Sequence, residues 1–293
     1  MKVEELVDLF REETTYSTSE LTHVWAVFWA NFKIFLSYKT WVLTETLSTM
    51  ASIAMYSFMG LQVDANKLVE TGYGTASWLA FALVGVASAN YLWMCISRIS
   101  HAMNHEVREG TFEVIISSPI RLRSYIVGQL IRGFLVSAYF MFGVLLVGIF
   151  ILKVPQIITP VTILSFFTVI LFMVASYIGI GIMAAGIILV YKKGDPLTFL
   201  FANITEFLGG VLFPLNYLKG YPLLWTIAWL MPYTYALDAA RKVLLTGATL
   251  VSPGVLNNLI VLAICIAVFT PLGLEVFKLS CDRIRNEGTV ATY

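Results

Sequence analysis

Apolar residues fill six long runs along the chain, and polar stretches separate one run from the next. A bilayer core about 30 Å thick takes roughly 20 apolar residues to cross as a helix, and each run reaches that length. The runs are Trp41–Val63, Ala76–Ile99, Tyr125–Leu152, Pro160–Tyr191, Leu197–Leu218 and Gly254–Phe277. The pattern predicts an all-α membrane protein whose six transmembrane helices form one domain over residues 41–279.

A seventh apolar stretch, Tyr221–Met231, is about half as long as a membrane span needs. Pro222 and Pro232 bracket it, and proline interrupts a helix. We therefore expect the outer segment 219–253, between the fifth and sixth helices, to be re-entrant or interfacial.

Residues 1–40 carry two amphipathic helical patterns ahead of the first span. The first is short and acidic. The second is an aromatic stripe made of Trp25, Phe28, Trp29, Phe32, Phe35 and Leu36. Lys33 and Lys39 flank this stripe and can reach lipid headgroups, which predicts a helix lying flat on the inner membrane surface. Packing of the stripe against the helical bundle is the alternative.

Composition supports the membrane assignment. Of 293 residues, 58% are hydrophobic and only 13% are charged, which excludes an ordinary soluble globule and a disordered chain. The 19 basic and 18 acidic residues nearly cancel, so no basic patch for nucleic acid is expected. The three cysteines lie in or beside apolar stretches without metal-ligand spacing, and they indicate neither a disulfide framework nor a metal site.

The distribution of Lys and Arg predicts the orientation of the chain. With the N-terminus inside, only five basic residues fall outside, namely Lys67, Lys153, Lys219, Arg241 and Lys242. Basic residues are retained on the cytoplasmic side. Both termini are therefore predicted to be cytoplasmic, including a C-terminal tail over residues 280–293.

The inner loop 100–124 contains a second candidate for an exposed helix. Glu106, Glu109 and Glu113 fall within about 60° of one another around a helix, and Pro119 ends the segment. An acidic stripe of this kind suits a basic groove on a cytoplasmic partner. Simple solvation of the charges explains the pattern equally well.

The same loop carries a family resemblance. The run from Glu106 to Glu113, followed by Ser118-Pro119-Ile120, resembles the coupling helix of type 2 ABC transporter permeases. The resemblance extends to the interfacial helix, the six spans and the outer segment, where Phe213-Pro214 precedes Pro232-Tyr233-Thr234-Tyr235 and Arg241. Lys219-Gly220 stands where the family often has Leu-Pro.

The resemblance implies a permease that pairs with a second permease, identical or not, and docks on two ABC ATPase subunits in the plasma membrane of a prokaryote. It implies that a coupling set transmits ATP-driven closure to the spans, namely Glu106, Arg108, Gly110, Thr111 and Glu113. The sequence contains no Gly-x-x-x-x-Gly-Lys-[Ser/Thr] phosphate loop. ATP and Mg²⁺ are therefore expected on the partner ATPase and no cofactor on this chain.

Ionisable residues at bilayer depth are costly unless they face a cavity or a partner. Glu206 lies near the middle of the fifth run, with Asn203 and Gly210 on the same helical face. We predict that this face lines the translocation path or contacts the second permease; a purely structural carboxyl group is equally compatible. A weaker candidate stripe for the path lies in the first run and consists of Glu45, Ser48, Ser52 and Tyr56.

The outer segment supplies a candidate gate. Asp238 and Arg241 are spaced to pair across one helical turn. By the resemblance, this region closes the exit of the path, which predicts gate and scaffold roles for Phe213, Tyr233, Tyr235, Asp238 and Arg241. An interfacial cap of aromatic residues is the alternative.

These observations favour the membrane subunit of an ATP-driven exporter that moves an amphipathic or hydrophobic, drug-like or lipid-like substrate by alternating access. Export of a lipid-linked polysaccharide or glycolipid is the alternative that the same family offers. An ion-coupled secondary transporter using Glu206 is less favoured because inverted repeats are not evident. An intramembrane enzyme is not expected, since His23, His101 and His105 form no metal motif.

Overall fold

A computed structural model of the chain describes residues 19–60, 73, 77–108, 122–191 and 203–287. Regular structure in these ranges is entirely helical. The helices are α1 (Glu20–Ser37), α2 (Lys39–Gly60), α3 (Trp78–Arg108), α4 (Leu122–Phe150), α5 (Pro160–Tyr191), a 3₁₀ helix (Leu215–Gly220), α6 (Pro222–Leu230), α7 (Pro232–Thr246) and α8 (Pro253–Glu287).

Four of the described helices are long and apolar enough to cross a membrane. They contain the stretches Trp78–Cys95, Val127–Phe150, Pro160–Ile187 and Pro253–Arg283. The predicted first span coincides with α2, which has 22 residues but includes Lys39, Glu45 and several Ser and Thr. The chain is thus an all-helical, multi-pass membrane protein, and a total of six spans stays a prediction.

The predicted fifth span is too long at its C-terminal end. Residues 203–208 are helical, the backbone turns at Gly209, and Gly210 takes the left-handed φ of +75°. The chain then enters the 3₁₀ helix instead of continuing to Leu218. Glycine adopts this backbone conformation without a Cβ clash and commonly ends helices. Residues 197–202 of that predicted span lie outside the described residues.

Helices α5 and α8 pack closely against each other. A Cβ on Gly179 would collide with the backbone of Phe269, and one on Gly273 would collide with the backbone of Gly179. Farther along the same pair, Gly186 faces Phe277. Small residues let helix backbones approach closely in a membrane, where apolar burial alone does not favour association.

Helix α1 lies against the beginning of α4. Val27 and Phe28 are buried, and a Cβ on Gly128 would collide with Val27. Trp25 and Trp29, whose rings contact the Phe28 ring, are exposed. Part of the aromatic stripe therefore packs on the bundle, and contact of its exposed part with the membrane surface stays a prediction.

Two further boundaries differ from the sequence prediction. Helix α3 runs without a break through Arg108, so residues 100–108 of the predicted inner loop are helical. Helix α8 runs through Glu287 and includes part of the predicted tail. Helices of 31 and 35 residues exceed what a bilayer core requires, and both project beyond it.

Candidate functional site

Helix α7 occupies the centre of the outer segment and is largely buried. Pro232 begins it, at a position where the missing N–H costs nothing, and Gly247 ends it with a φ of +71°. Eleven of its fifteen side chains are buried. The helix packs against α3, α5 and α8, and it therefore joins several elements at one end of the bundle.

Arg241, in the middle of α7, is only 3% exposed and binds backbone carbonyl groups on two other segments. Its Nη1 donates to Gly210 O at 2.7 Å, its Nη2 donates to Val211 O at 2.6 Å, and its Nε donates to Phe81 O at 3.3 Å. The guanidinium also stacks on the Phe81 ring, 3.3 Å from the centroid. Burial lowers the pKa of Arg241 to about 10, so the side chain is still charged at neutral pH.

Contacts around Arg241 also hold α3 close to the turn at residues 209–212. A Cβ on Gly85 would collide with Val211 O and the Arg241 guanidinium. The Tyr233 hydroxyl, fully buried, donates to Gly85 O at 3.0 Å, and Trp78 Nε1 donates to Leu212 O at 3.1 Å. We call Trp78, Phe81, Gly85, Gly210, Val211, Leu212, Tyr233 and Arg241 the arginine clamp.

Asp238 organises a second polar cluster, one turn before Arg241. Its carboxylate accepts from Tyr73 Oη at 2.8 Å, Lys242 Nζ at 2.6 Å and Asn258 Nδ2 at 2.7 Å. Burial raises the pKa of Tyr73 above its usual value, which keeps the hydroxyl a donor. The sequence prediction that Asp238 pairs with Arg241 is wrong, because Arg241 donates to carbonyl groups and Lys242 provides the ion pair.

The other two predicted gate residues lie beside this core. Phe213 packs edge-on against Phe207, with ring centroids 5.8 Å apart. Tyr235 packs against Trp229 at 5.2 Å. Both are partly buried, and they join the aromatic surface of the outer segment without taking part in the arginine clamp.

Glu206 and Asn203 lie on the exposed side of the short helix 203–208. Thr205 and Leu208 face the interior instead. The prediction that Gly210 extends the face of Glu206 is wrong, because the helix has ended and Gly210 is buried in the clamp. Of the three residues predicted to share this face, only Asn203 and Glu206 do so.

The predicted stripe in the first span lies along a cleft between α2, α3 and α4. Glu45, Ser48 and Ser52 line it from α2, and Asn90, Trp93 and Phe140 are among the residues that line it from the other helices. The cleft has a volume of about 100 Å³. The side chain of Tyr56 lies outside the described residues.

Two members of the predicted coupling set lie at the opposite end of α3 from the clamp. Glu106 and Arg108 belong to the last turn of α3, where only the backbone is described, and Gly110, Thr111 and Glu113 lie outside the described residues. The roles of these five residues stay predictions.

Sequence reasoning missed several members of the two polar clusters. Lys242 follows Asp238 at i+4, and this spacing was a usable signal for the ion pair. Asn258 interrupts the apolar start of α8, and a polar residue there indicates a buried partner. Tyr73 and Gly85 offered no such signal, because their contacts join residues 165 and 148 positions apart.

Comparison with known proteins supports the assignment to membrane transport. A protein-family model described as "ABC-2 type transporter" matches residues 22–245, which run from the third residue of α1 to the last residue but one of α7. No curated protein matches the chain. The matched region includes the arginine clamp, the cleft and the short helix that carries Glu206.

Proposed function

Since the chain belongs to the ABC-2 type transporter family, we propose that it is the membrane-spanning permease of an ATP-driven exporter and that separate ATPase subunits drive it. Its substrate is amphipathic or hydrophobic, drug-like or lipid-like. The substrate moves outward by alternating access, and both termini are cytoplasmic.

The observation that carries this proposal is the continuity of α3. The helix begins in the arginine clamp, where Trp78 and Phe81 contact the outer segment, and it ends at Glu106 and Arg108 without a break. At 1.5 Å per residue, Phe81 and Glu106 are about 38 Å apart along the axis. A motor that moves the coupling end therefore displaces the outer segment through one rigid element.

A second permease completes the path in this proposal. Glu206 is exposed on the surface of the single chain, within a segment predicted to lie in the membrane. A carboxyl group facing lipid is costly, whereas one facing a partner or an aqueous path is not. The face of Asn203 and Glu206 then lies between two permeases, where the substrate passes.

The decisive experiment is purification of the chain with candidate ATPase subunits, followed by measurement of ATP hydrolysis and transport in liposomes. We expect hydrophobic drugs to stimulate hydrolysis and transport to require ATP. Stimulation by lipid-linked glycans instead would assign the glycolipid alternative. Transport by the chain alone, without any nucleotide-binding subunit, would overturn the proposal and favour ion coupling through Glu206.

A further inference from the structure

Helix α4 carries a guanidinium group whose charge the described residues do not neutralise. Arg132 is partly buried between α1 and α4, inside the apolar stretch Val127–Phe150. Its Nη1 donates to Asn31 Oδ1 at 3.3 Å and to Gln129 Oε1 at 3.2 Å, and both acceptors belong to neutral amides. No carboxylate of the described residues forms an ion pair with it. A charge at this depth is costly without a partner, so the site suits an anion.

The two amides that bind Arg132 are themselves held in place. Asn31 Nδ2 donates to Val27 O at 2.9 Å, and Gln129 Nε2 donates to Tyr125 Oη at 3.1 Å. The amide oxygens are therefore left to face the guanidinium. Its Nε is buried without a hydrogen bond, whereas Nη2 makes no hydrogen bond to the described residues and is not enclosed by them. Nη2 therefore presents two N–H donors at the surface of the chain.

An exposed apolar stripe begins beside this guanidinium. It consists of Leu135, Tyr139, Phe142 and Leu146 on α4. At about 100° per residue, the four side chains fall within about 60° of one another and next to Arg132. From Arg132 to Leu146 the helix rises about 21 Å, which exceeds half of a bilayer core about 30 Å thick. An acyl chain can therefore follow the stripe while its headgroup stays at Arg132.

We propose that Arg132 binds the phosphate of an anionic phospholipid whose acyl chain packs along this apolar stripe. Guanidinium donors match phosphate oxygens in charge and geometry, and basic pockets between transmembrane helices are typical sites for anionic headgroups. Arg132 bonds to Gln129, three residues nearer the start of α4, and a long basic side chain that leans this way reaches the headgroup level. In the orientation of the proposed function this is the cytoplasmic leaflet, but the binding itself does not depend on that function.

The test is native mass spectrometry of the purified, delipidated chain in tetraethylene glycol monooctyl ether, an uncharged detergent. We expect dioleoylphosphatidylglycerol to bind to saturation and in preference to dioleoylphosphatidylcholine, which has the same acyl chains and no net charge. Equal affinity for the two lipids would overturn the proposal. No ATPase is present, so a failed exporter assay and a failed lipid assay are independent results.

A water-soluble competitor separates the lipid from a free phosphate group. Glycerophosphoglycerol is the headgroup of phosphatidylglycerol without its acyl chains. It should not displace the lipid at equal concentration, because the apolar stripe contributes to binding only when an acyl chain is present. Displacement at equal concentration would overturn the assignment to a lipid.

Variants locate the site at Arg132. Arg132→Gln should weaken binding of phosphatidylglycerol at least about tenfold because the positive charge is lost, and Arg132→Lys should retain part of the affinity. The matched control is Lys33→Gln, which removes an exposed positive charge from α1 and should leave the affinity unchanged. Wild-type affinity in Arg132→Gln, or an equal loss in Lys33→Gln, would overturn the assignment.

A second variant tests the missing counter-charge without removing the arginine. Gln129→Glu has nearly the same shape and places a carboxylate where the Gln129 oxygen accepts from Arg132. This internal partner should abolish the preference for phosphatidylglycerol, while the Tm of the chain stays at least at the wild-type value. An undiminished preference in Gln129→Glu would overturn the proposal.

Discussion

Arg241 and Trp78 stabilise the outer segment because they donate to backbone carbonyl groups of the turn at residues 210–212. Gly210 O and Val211 O belong to the turn that ends the short helix 203–208, and Arg241 donates to both. Removal of the Arg241 side chain would leave these buried carbonyl groups without their donors, which is destabilising. Arg241 therefore has a structural role in the outer segment, although its charge first suggested an ion pair.

Arg241→Met should lower the Tm of the purified chain by on the order of 10 °C. Three acceptors lose their donor, at roughly 1–3 kcal/mol each. Fluorescence-detected thermal unfolding in detergent measures the shift. The matched control is Lys242→Met on the same helix, whose partly exposed side chain makes one ion pair with Asp238 and should cost only a few degrees. Equal shifts in the two variants would contradict the clamp.

At the scale of whole helices, close packing between helix backbones determines how the bundle is arranged. Helices α5 and α8 touch through glycine backbones, whereas the outer faces of α4 and α5 present large exposed side chains such as Leu146 and Leu164 to the surroundings. Pro271 lies within α8, two residues before Gly273. The missing N–H at Pro271 removes one helical hydrogen bond next to this close contact.

Gly179→Val should separate α5 from α8 and reduce both the yield and the Tm of the folded chain, since the added Cβ would overlap the Phe269 backbone. Gly143→Val on α4 is the matched control, because no neighbouring atom lies within 4 Å of the position that its Cβ would occupy. We expect the control to keep the wild-type elution profile in size-exclusion chromatography. A normal profile for Gly179→Val would show that the contact is dispensable.

At the scale of the whole molecule, α3 connects two regions of interest. One end is held by the arginine clamp, which the Asp238 cluster adjoins, and the other end carries Glu106 and Arg108 of the predicted coupling set. Rigid elements between two sites transmit displacement when both ends are fixed to them. The proposed docking site of the ATPase and the proposed gate therefore lie at opposite ends of the same helix.

Glu106→Lys combined with Glu113→Lys should abolish association with the ATPase subunits. The two introduced lysines would carry the same charge as the basic groove and would be repelled by it. Copurification measures the loss. Glu106→Gln combined with Glu113→Gln is the graded control and should reduce association less. Unchanged copurification of the lysine variant would count against the docking surface.

Glu206→Gln should reduce transport and substrate-stimulated hydrolysis without lowering the Tm, since the side chain is exposed on the single chain. Glu275→Gln, another exposed carboxylate, serves as the control and should leave transport unchanged. A wild-type transport rate for Glu206→Gln, measured in liposomes, would return this carboxylate to a structural role.

The sequence by itself determined the helical class, the four spans found among the described helices, the interruption of the apolar pattern at Pro222 and Pro232, and the family, because apolar runs and local motifs depend on neighbouring residues. It also identified Tyr233, Asp238 and Arg241 as a group, since they share one short helix. Only the tertiary structure decided that Arg241 binds carbonyl groups, that Gly210 ends a helix, and that Glu45 faces a cleft with Phe140. These contacts join residues far apart in the chain, and hydrophobic periodicity carries no information about which distant backbone atom a side chain will reach.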